Sequence, residues 1–176
     1  MENVKNTEPR GIRNNNPLNI RYVWRNKWVG RRSPKTDKHF EEFEAMKYGW
    51  RAGFILMYKY IHVHRCTTLR KLIERWAPRS ENNTEYYIKT VSYRGCMNAD
   101  DELDFSNSAQ MLNIASEMAF VETGKAFDLR EVAWGYCLAC ASLGIDYYTS
   151  GGIYEMAIYH AQIMQELQDK EREEDV

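Results

Sequence analysis

A glutamate placed on the apolar stripe of a helix is the residue in this chain best suited to proton transfer. Met111, Ala115, Met118 and Glu122 are spaced four, three and four, which keeps them on one helical face. Glu122 falls in the last turn, directly before Thr123-Gly124. Apolar neighbours and the negative end of the helix dipole both raise a carboxyl pKa there. A carboxyl so poised is a general acid. The same glutamate at a frayed helix end would simply be solvated, and periodicity leaves both readings open.

A binding surface has a second signature. Gly11–Gly30 (GIRNNNPLNIRYVWRNKWVG) joins Asn14, Asn15, Asn16, Asn19, two tryptophans (Trp24, Trp28) and the basic residues Arg13, Arg21, Arg25 and Lys27. Asn and Arg offer forked donors and Trp offers flat apolar faces, a mixture suited to a sugar or to a phosphate backbone. The segment from Trp76 to Tyr87 (WAPRSENNTEYY) adds Glu81, Asn82 and two tyrosines beside a tryptophan. It reads equally as an ordinary helix start, with Asn83 and Thr84 as caps. His62 and His64 are two apart and so face different ways, and no second ligand pair lies near them, so no metal and no cofactor is expected. Asp100, Asp101, Glu102 and Asp104 lack calcium-loop spacing and read as a solvated turn.

The elements that would hold these residues follow from period and punctuation. Residues 1–9 read as a loose leader. Residues 11–43 carry short alternating pieces, Ile20–Val23, Trp28–Gly30 and His39–Phe43, which predict a small irregular β-hairpin region. From Ala45 to about His62 the apolar period becomes helical. A second helix from Thr67/Thr68 is stopped by Pro78, and Asn83/Thr84 start a third. A fourth opens at Ser106–Ser108 and ends at Gly124. Asp128–Glu131 caps a fifth that closes at Gly144, and residues 153–170 form the last. Neither a parallel sheet nor a Gly-rich phosphate loop is legible. Cys137 and Cys140 form a CxxC inside an apolar helical pattern and read as core packing.

The 176 residues are 44% apolar, 13% aromatic and carry a net charge of −1, which points to a folded globule and away from disorder. The charge is uneven: residues 1–40 hold ten Lys/Arg against three acidic residues, and residues 166–176 hold six acidic against two basic. A basic front favours an anionic partner such as peptidoglycan or nucleic acid. No apolar run reaches membrane-spanning length and the N-terminus has no hydrophobic signal core. Four cysteines in this context fit reduced thiols.

Several motifs in fixed order carry a resemblance. GIRNNNPLNIR, the Trp-x-Gly of Trp28–Gly30, Phe40-x-x-Phe43, Gly49-Trp-Arg-Ala52 and WAPRSENNTEYYIKTV resemble the phage "structural protein P5" group between about Arg10 and Gly124. That group looks like virion-associated peptidoglycan-degrading proteins of phages and prophages in Bacteroides-type bacteria. A weaker resemblance is to lysozyme-like bacterial glucosaminidases, in which a helix ends in a catalytic Glu within A-L-E-[ST]-G, followed by N-L-F-G-I-K, W-x-G, F-x-x-[FY] and a Y-A-T-D-P-x-Y segment. Here Asn16–Arg21, Trp28–Gly30, Phe40–Phe43 and Asn83–Tyr87 fall in that order, while Ile114–Gly124 (IASEMAFVETG) resembles the Glu helix but sits at the back. The resemblance therefore implies a circularly permuted lysozyme-like domain with Glu122 as its acid. One departure stands out: Leu18 replaces the glycine of the usual N-N-P-G-N turn, which strains the loop if that position needs a positive φ.

The resulting expectation is an α+β, mainly helical, lysozyme-like domain over residues 10–150. A leader (1–9) precedes it, and a C-terminal helix with an acidic tail (151–176) follows. Glu122 would be the catalytic acid in cleavage of the peptidoglycan glycan strand. Asn15, Asn16, Asn19, Arg21, Trp28, Trp76, Glu81, Asn82 and Tyr87 would line the groove. Glu44 and Glu81 are the candidates for a second carboxylate, and without one the substrate's own N-acetyl or 6-hydroxyl group assists. The implied location is a virion or the host cytoplasm before release, with other virion proteins as further partners. Two other readings stay open: a non-catalytic virion protein that binds glycan, and a nucleic-acid-binding protein, which near-neutral charge disfavours.

Overall fold

The computed structural model describes residues 8–149 and 151–174. Its helices are α1 (Arg10–Arg13), α2 (Met46–His62), α3 (Leu69–Trp76), α4 (Thr84–Arg94), α5 (Ser108–Thr123), α6 (Leu129–Leu143) and α7 (Gly152–Glu174). The starts are set by side-chain caps. Thr68, Asn83, Asn107 and Asp128 each accept a backbone N–H from the first turn that follows. Gly124 and Gly144 adopt left-handed φ and end α5 and α6. The predicted helices stand where period and punctuation put them, with α7 running on to Glu174.

The centre of the fold is α2 against α6, with α7 packed along α6 and α5 in contact with α4 and α6. Trp50 and Phe54 of α2 are fully buried, as are Tyr136 of α6 and Met111, Leu112 and Met118 of α5. Phe54 meets Tyr136 edge-on at 5.2 Å, and the Tyr136 hydroxyl donates to the Phe105 carbonyl at 2.7 Å. That hydroxyl is thereby satisfied in a region where an orphaned one would cost ~1–3 kcal/mol. Ala157, Ile158 and Ala161 of α7 join the same core. Cys140 is buried and Cys137 lies 3.4 Å from the Tyr147 hydroxyl, so the CxxC is packing.

The expected N-terminal hairpin region has no continuous strand ladder. Between Asn14 and Glu44 the β structure is limited to isolated antiparallel bridges, Arg21 with Phe40 and Arg31 with Phe43. The cause is the asparagines. Asn16 Nδ2 donates to the Ile20 and Glu41 carbonyls at 2.9 and 3.0 Å, and its Oδ1 accepts Ile20 N–H at 2.9 Å. One side chain thus takes the backbone groups that a strand ladder would have used. The mainly helical expectation holds; the β component reduces to these bridges and two more, Thr68–Glu102 and Asn107–Tyr148. The four-residue α1 is not among the expected elements, since its residues 11–13 fall in the expected hairpin region. Residues 1–7 of the expected leader, Ser150, and residues 175–176 of the acidic tail lie outside the described residues.

Two glycines let the N-terminal segment sit directly on helices. A Cβ on Gly11 of α1 would stand 2.8 Å from Thr123 Cγ2 at the end of α5, and one on Gly49 of α2 would stand 2.0 Å from the Asn15 carbonyl oxygen. Among the described residues no helix is long and apolar enough to cross a membrane.

Candidate active site

Met111, Ala115 and Met118 of α5 are fully buried and Glu122 follows them in the last turn, half-buried. Its two oxygens have separate donors. The Tyr87 hydroxyl of α4 reaches Oε1 at 3.0 Å, and the Asn19 side-chain amide reaches Oε2 at 2.9 Å. Both donors are neutral, and no cation pairs with Glu122 among the described residues. Burial raises the Glu122 pKa above its ordinary value, and the bonds from Asn19 and Tyr87 only partly oppose it. Burial, and next the carboxylate itself, push Tyr87 well above the usual phenol range, so it remains an O–H donor.

Asn19 reaches Glu122 because of its backbone. It has φ 47°, in the left-handed region, as Asn15 does at 49°. Asparagine tolerates that region better than most residues. Leu18, between them, does not adopt it; its side chain is fully buried with Cδ1 close to Gly53. The leucine therefore pins the turn to α2, and the strain expected of it does not arise.

Glu122 lines a cleft of about 440 Å³. Asn19, Arg21, Trp76, Glu81 and Asn82 line it too, so five of the expected groove residues meet the expected acid. Arg21 and Glu81 bridge at 2.6 Å. Tyr87 is buried and meets the site through its hydroxyl.

The other three expected groove residues lie elsewhere. Asn16 is fully buried and holds backbone, so it offers nothing to a ligand. Asn15 Nδ2 is committed to the Phe43 carbonyl at 3.0 Å. Trp28 packs against the core outside the cleft, with Lys59 6.0 Å from its ring centroid. Glu44 is exposed and also outside the cleft, its N–H bonded to the Gly30 carbonyl. Sequence reasoning missed Phe40, Tyr60 and Arg75 as cleft residues. The signal for Arg75 was its place beside Trp76. No group of three or more His, Cys, Asp and Glu side chains is placed to hold a metal ion among the described residues.

The arrangement sets a half-buried carboxyl of raised pKa beside a polar and aromatic cleft of ligand-site size, the poise that proton transfer to a ligand requires. No family model matches the chain. Over 140 residues, 74% of this chain and 84% of the relative, the sequence is 31% identical to Protein P5 of Pseudoalteromonas phage PM2. At that identity and coverage, the chain belongs to the P5-like family of phage proteins.

Proposed function

We propose that the protein cleaves the glycan strand of peptidoglycan, with Glu122 as general acid. The observation that carries this reading is the environment of Glu122: half-buried, held by two neutral donors, raised in pKa and open to a cleft. A carboxyl whose proton affinity is raised by burial can give its proton to the glycosidic oxygen as the bond from C1 to that oxygen breaks. The other carboxylate on the cleft, Glu81, is engaged by Arg21, which favours a route with one acid. In that route the substrate's N-acetyl oxygen or 6-hydroxyl attacks C1. Water then resolves the first product and the second is a 1,6-anhydro sugar. In each case the Glu122 carboxylate, having given its proton to the leaving oxygen, takes the proton of the water or of the 6-hydroxyl.

A lysozyme-like arrangement in permuted order is part of the same proposal. Its support is that Glu122, late in the chain, lies against the Asn16–Arg21 turn that a lysozyme-like glucosaminidase carries after its Glu helix. Membership in a phage family supports a place in the virion, or in the host cytoplasm before release, with other virion proteins as partners.

The test is digestion of purified Gram-negative sacculi by wild type and Glu122→Gln, with soluble fragments read by mass spectrometry. Fragments that disappear in the variant support the reading, and their reducing or anhydro ends name the bond and the reaction. Equal release by both removes Glu122 as the acid. No fragments from either, with binding to sacculi intact, leaves a glycan-binding phage protein.

A further inference from the structure

Two arginines line the cleft, Arg21 and Arg75. Arg21 faces Glu81 at 2.6 Å, so its charge is balanced within the wall. Arg75 has no carboxylate partner among the described residues. Its guanidinium carbon lies over the Tyr60 ring, 4.9 Å from the centroid, and Tyr60 meets Trp76 at 5.7 Å with a 67° interplanar angle. Stacking on the ring and a hydrogen bond to the Tyr60 hydroxyl orient the Arg75 guanidinium and leave its remaining N–H donors for a ligand. Arg75 is thus the arginine on the cleft wall without a carboxylate partner among the described residues.

We propose that Arg75 is a specificity-determining residue that receives a carboxylate of the bound glycan, so that the cleft selects an acidic sugar polymer over a neutral one. The proposal rests on the glycan-cleaving reading for the nature of the polymer. A planar fork of N–H donors matches a carboxylate in two parallel hydrogen bonds, which a hydroxyl cannot reproduce. In peptidoglycan that carboxylate belongs either to the lactyl group of the muramic sugar or to the attached peptide.

The test measures calorimetric affinity of the Glu122→Gln protein, with and without Arg75→Ala, for three oligosaccharides of equal length. These are a peptide-bearing strand, the same strand freed of peptide by an amidase (which leaves the lactyl carboxylate), and a chitin oligosaccharide with no carboxylate. The expected result is roughly tenfold tighter binding of an acidic probe than of chitin, an advantage that Arg75→Ala erases. An advantage for the amidase-treated strand alone assigns the lactyl group, whose carboxyl is an amide wherever a peptide is attached. An advantage for the peptide-bearing strand alone assigns the stem, and an advantage for both shows that Arg75 accepts either carboxylate. Equal affinity for acidic and neutral probes overturns the proposal, as does a loss in Arg75→Ala that is the same for all three. Cleavage by the wild-type protein separates the two readings. Binding selectivity without cleavage keeps Arg75 in its role and removes the catalysis, whereas cleavage of acidic and neutral strands alike does the reverse.

Discussion

The Asn19 side-chain amide donates to Glu122 Oε2 at 2.9 Å, joining residues 103 positions apart in the chain. This bond and the one from Tyr87 decide what kind of acid Glu122 is. Both donors favour the charged carboxylate, yet neither is a cation, and burial outweighs them. The site therefore holds its carboxyl in a defined orientation while leaving its proton affinity raised. An arginine in place of Asn19 would orient it as well and strip it of its proton.

Removing the Asn19 donor should move the pH profile in a known direction. Asn19→Gly is the suitable change, because glycine adopts φ 47° without strain. The lost bond lowers the Glu122 pKa in the native site, so the pKa rises in the variant. Activity that needs protonated Glu122 falls as pH rises through that pKa. The alkaline limb of kcat/KM should then shift to higher pH, while kcat drops roughly tenfold through lost orientation. A limb that moves to lower pH would contradict the assignment of Asn19 as a donor to the acid.

Stability carries the same information with the opposite bias. A carboxyl whose folded pKa is raised favours the folded state fully below the ordinary glutamate pKa, and that contribution is lost as pH rises through the folded value. Glu122→Gln does not ionise. Its amide group can donate to Tyr87, whose O–H still has the Met118 carbonyl at 3.3 Å. The melting temperature of Glu122→Gln relative to wild type should therefore improve between pH ~4 and pH ~8. A difference that is flat across this range would mean that Glu122 is not held away from water.

Asn16 makes a contrasting prediction. Its three hydrogen bonds to backbone lie in a fully buried position, so Asn16→Ala should cost ~3 kcal/mol in urea unfolding, about 1 kcal/mol for each. Gly49→Ala should destabilise by ~2–3 kcal/mol, because its Cβ would meet the Asn15 carbonyl oxygen and push the turn off α2. If Asn16→Ala weakened glycan binding while leaving stability unchanged, Asn16 would be a ligand residue after all.

The helices and the half-buried place of Glu122 were legible because their signals are local. Asn83, Asp128, Gly124 and Gly144 each act within a few residues of themselves, and the stripe that carries Glu122 spans a single helix. The N-terminal segment was not legible for the converse reason. Asn16 and Asn19 are the same residue type three positions apart, yet one turns inward to the Glu41 carbonyl and the other toward Glu122. What separates them is φ and partners 25 and 103 positions away, which no window of sequence contains. An alternating pattern near Ile20 suggested a strand; two ladder bonds form there, and the Asn16 side chain takes the Ile20 N–H and Glu41 carbonyl that the next would have joined. Arg75 was hidden differently, since its exposure and helical position look ordinary until Arg21 is seen to be matched and Arg75 is not.

Tyr87 separates positioning from packing. The ring is 5% exposed and stays in place in Tyr87→Phe, so only the hydroxyl is lost. That hydroxyl donates to Glu122 Oε1 at 3.0 Å and reaches the Met118 carbonyl at 3.3 Å. Unfolding in urea should show a loss of ~1 kcal/mol, the value of one net hydrogen bond. If the hydroxyl only fills space, catalysis should be untouched beyond that loss. If it holds the acid, kcat should fall roughly tenfold with KM unchanged, because a glycan in the cleft touches Glu122 and not the buried Tyr87. The Glu122 pKa should also rise, since the Tyr87 bond opposes burial, and the alkaline limb of the rate profile should move upward as in Asn19→Gly. A rise in KM with kcat intact would place Tyr87 in substrate binding and remove it from the support of Glu122.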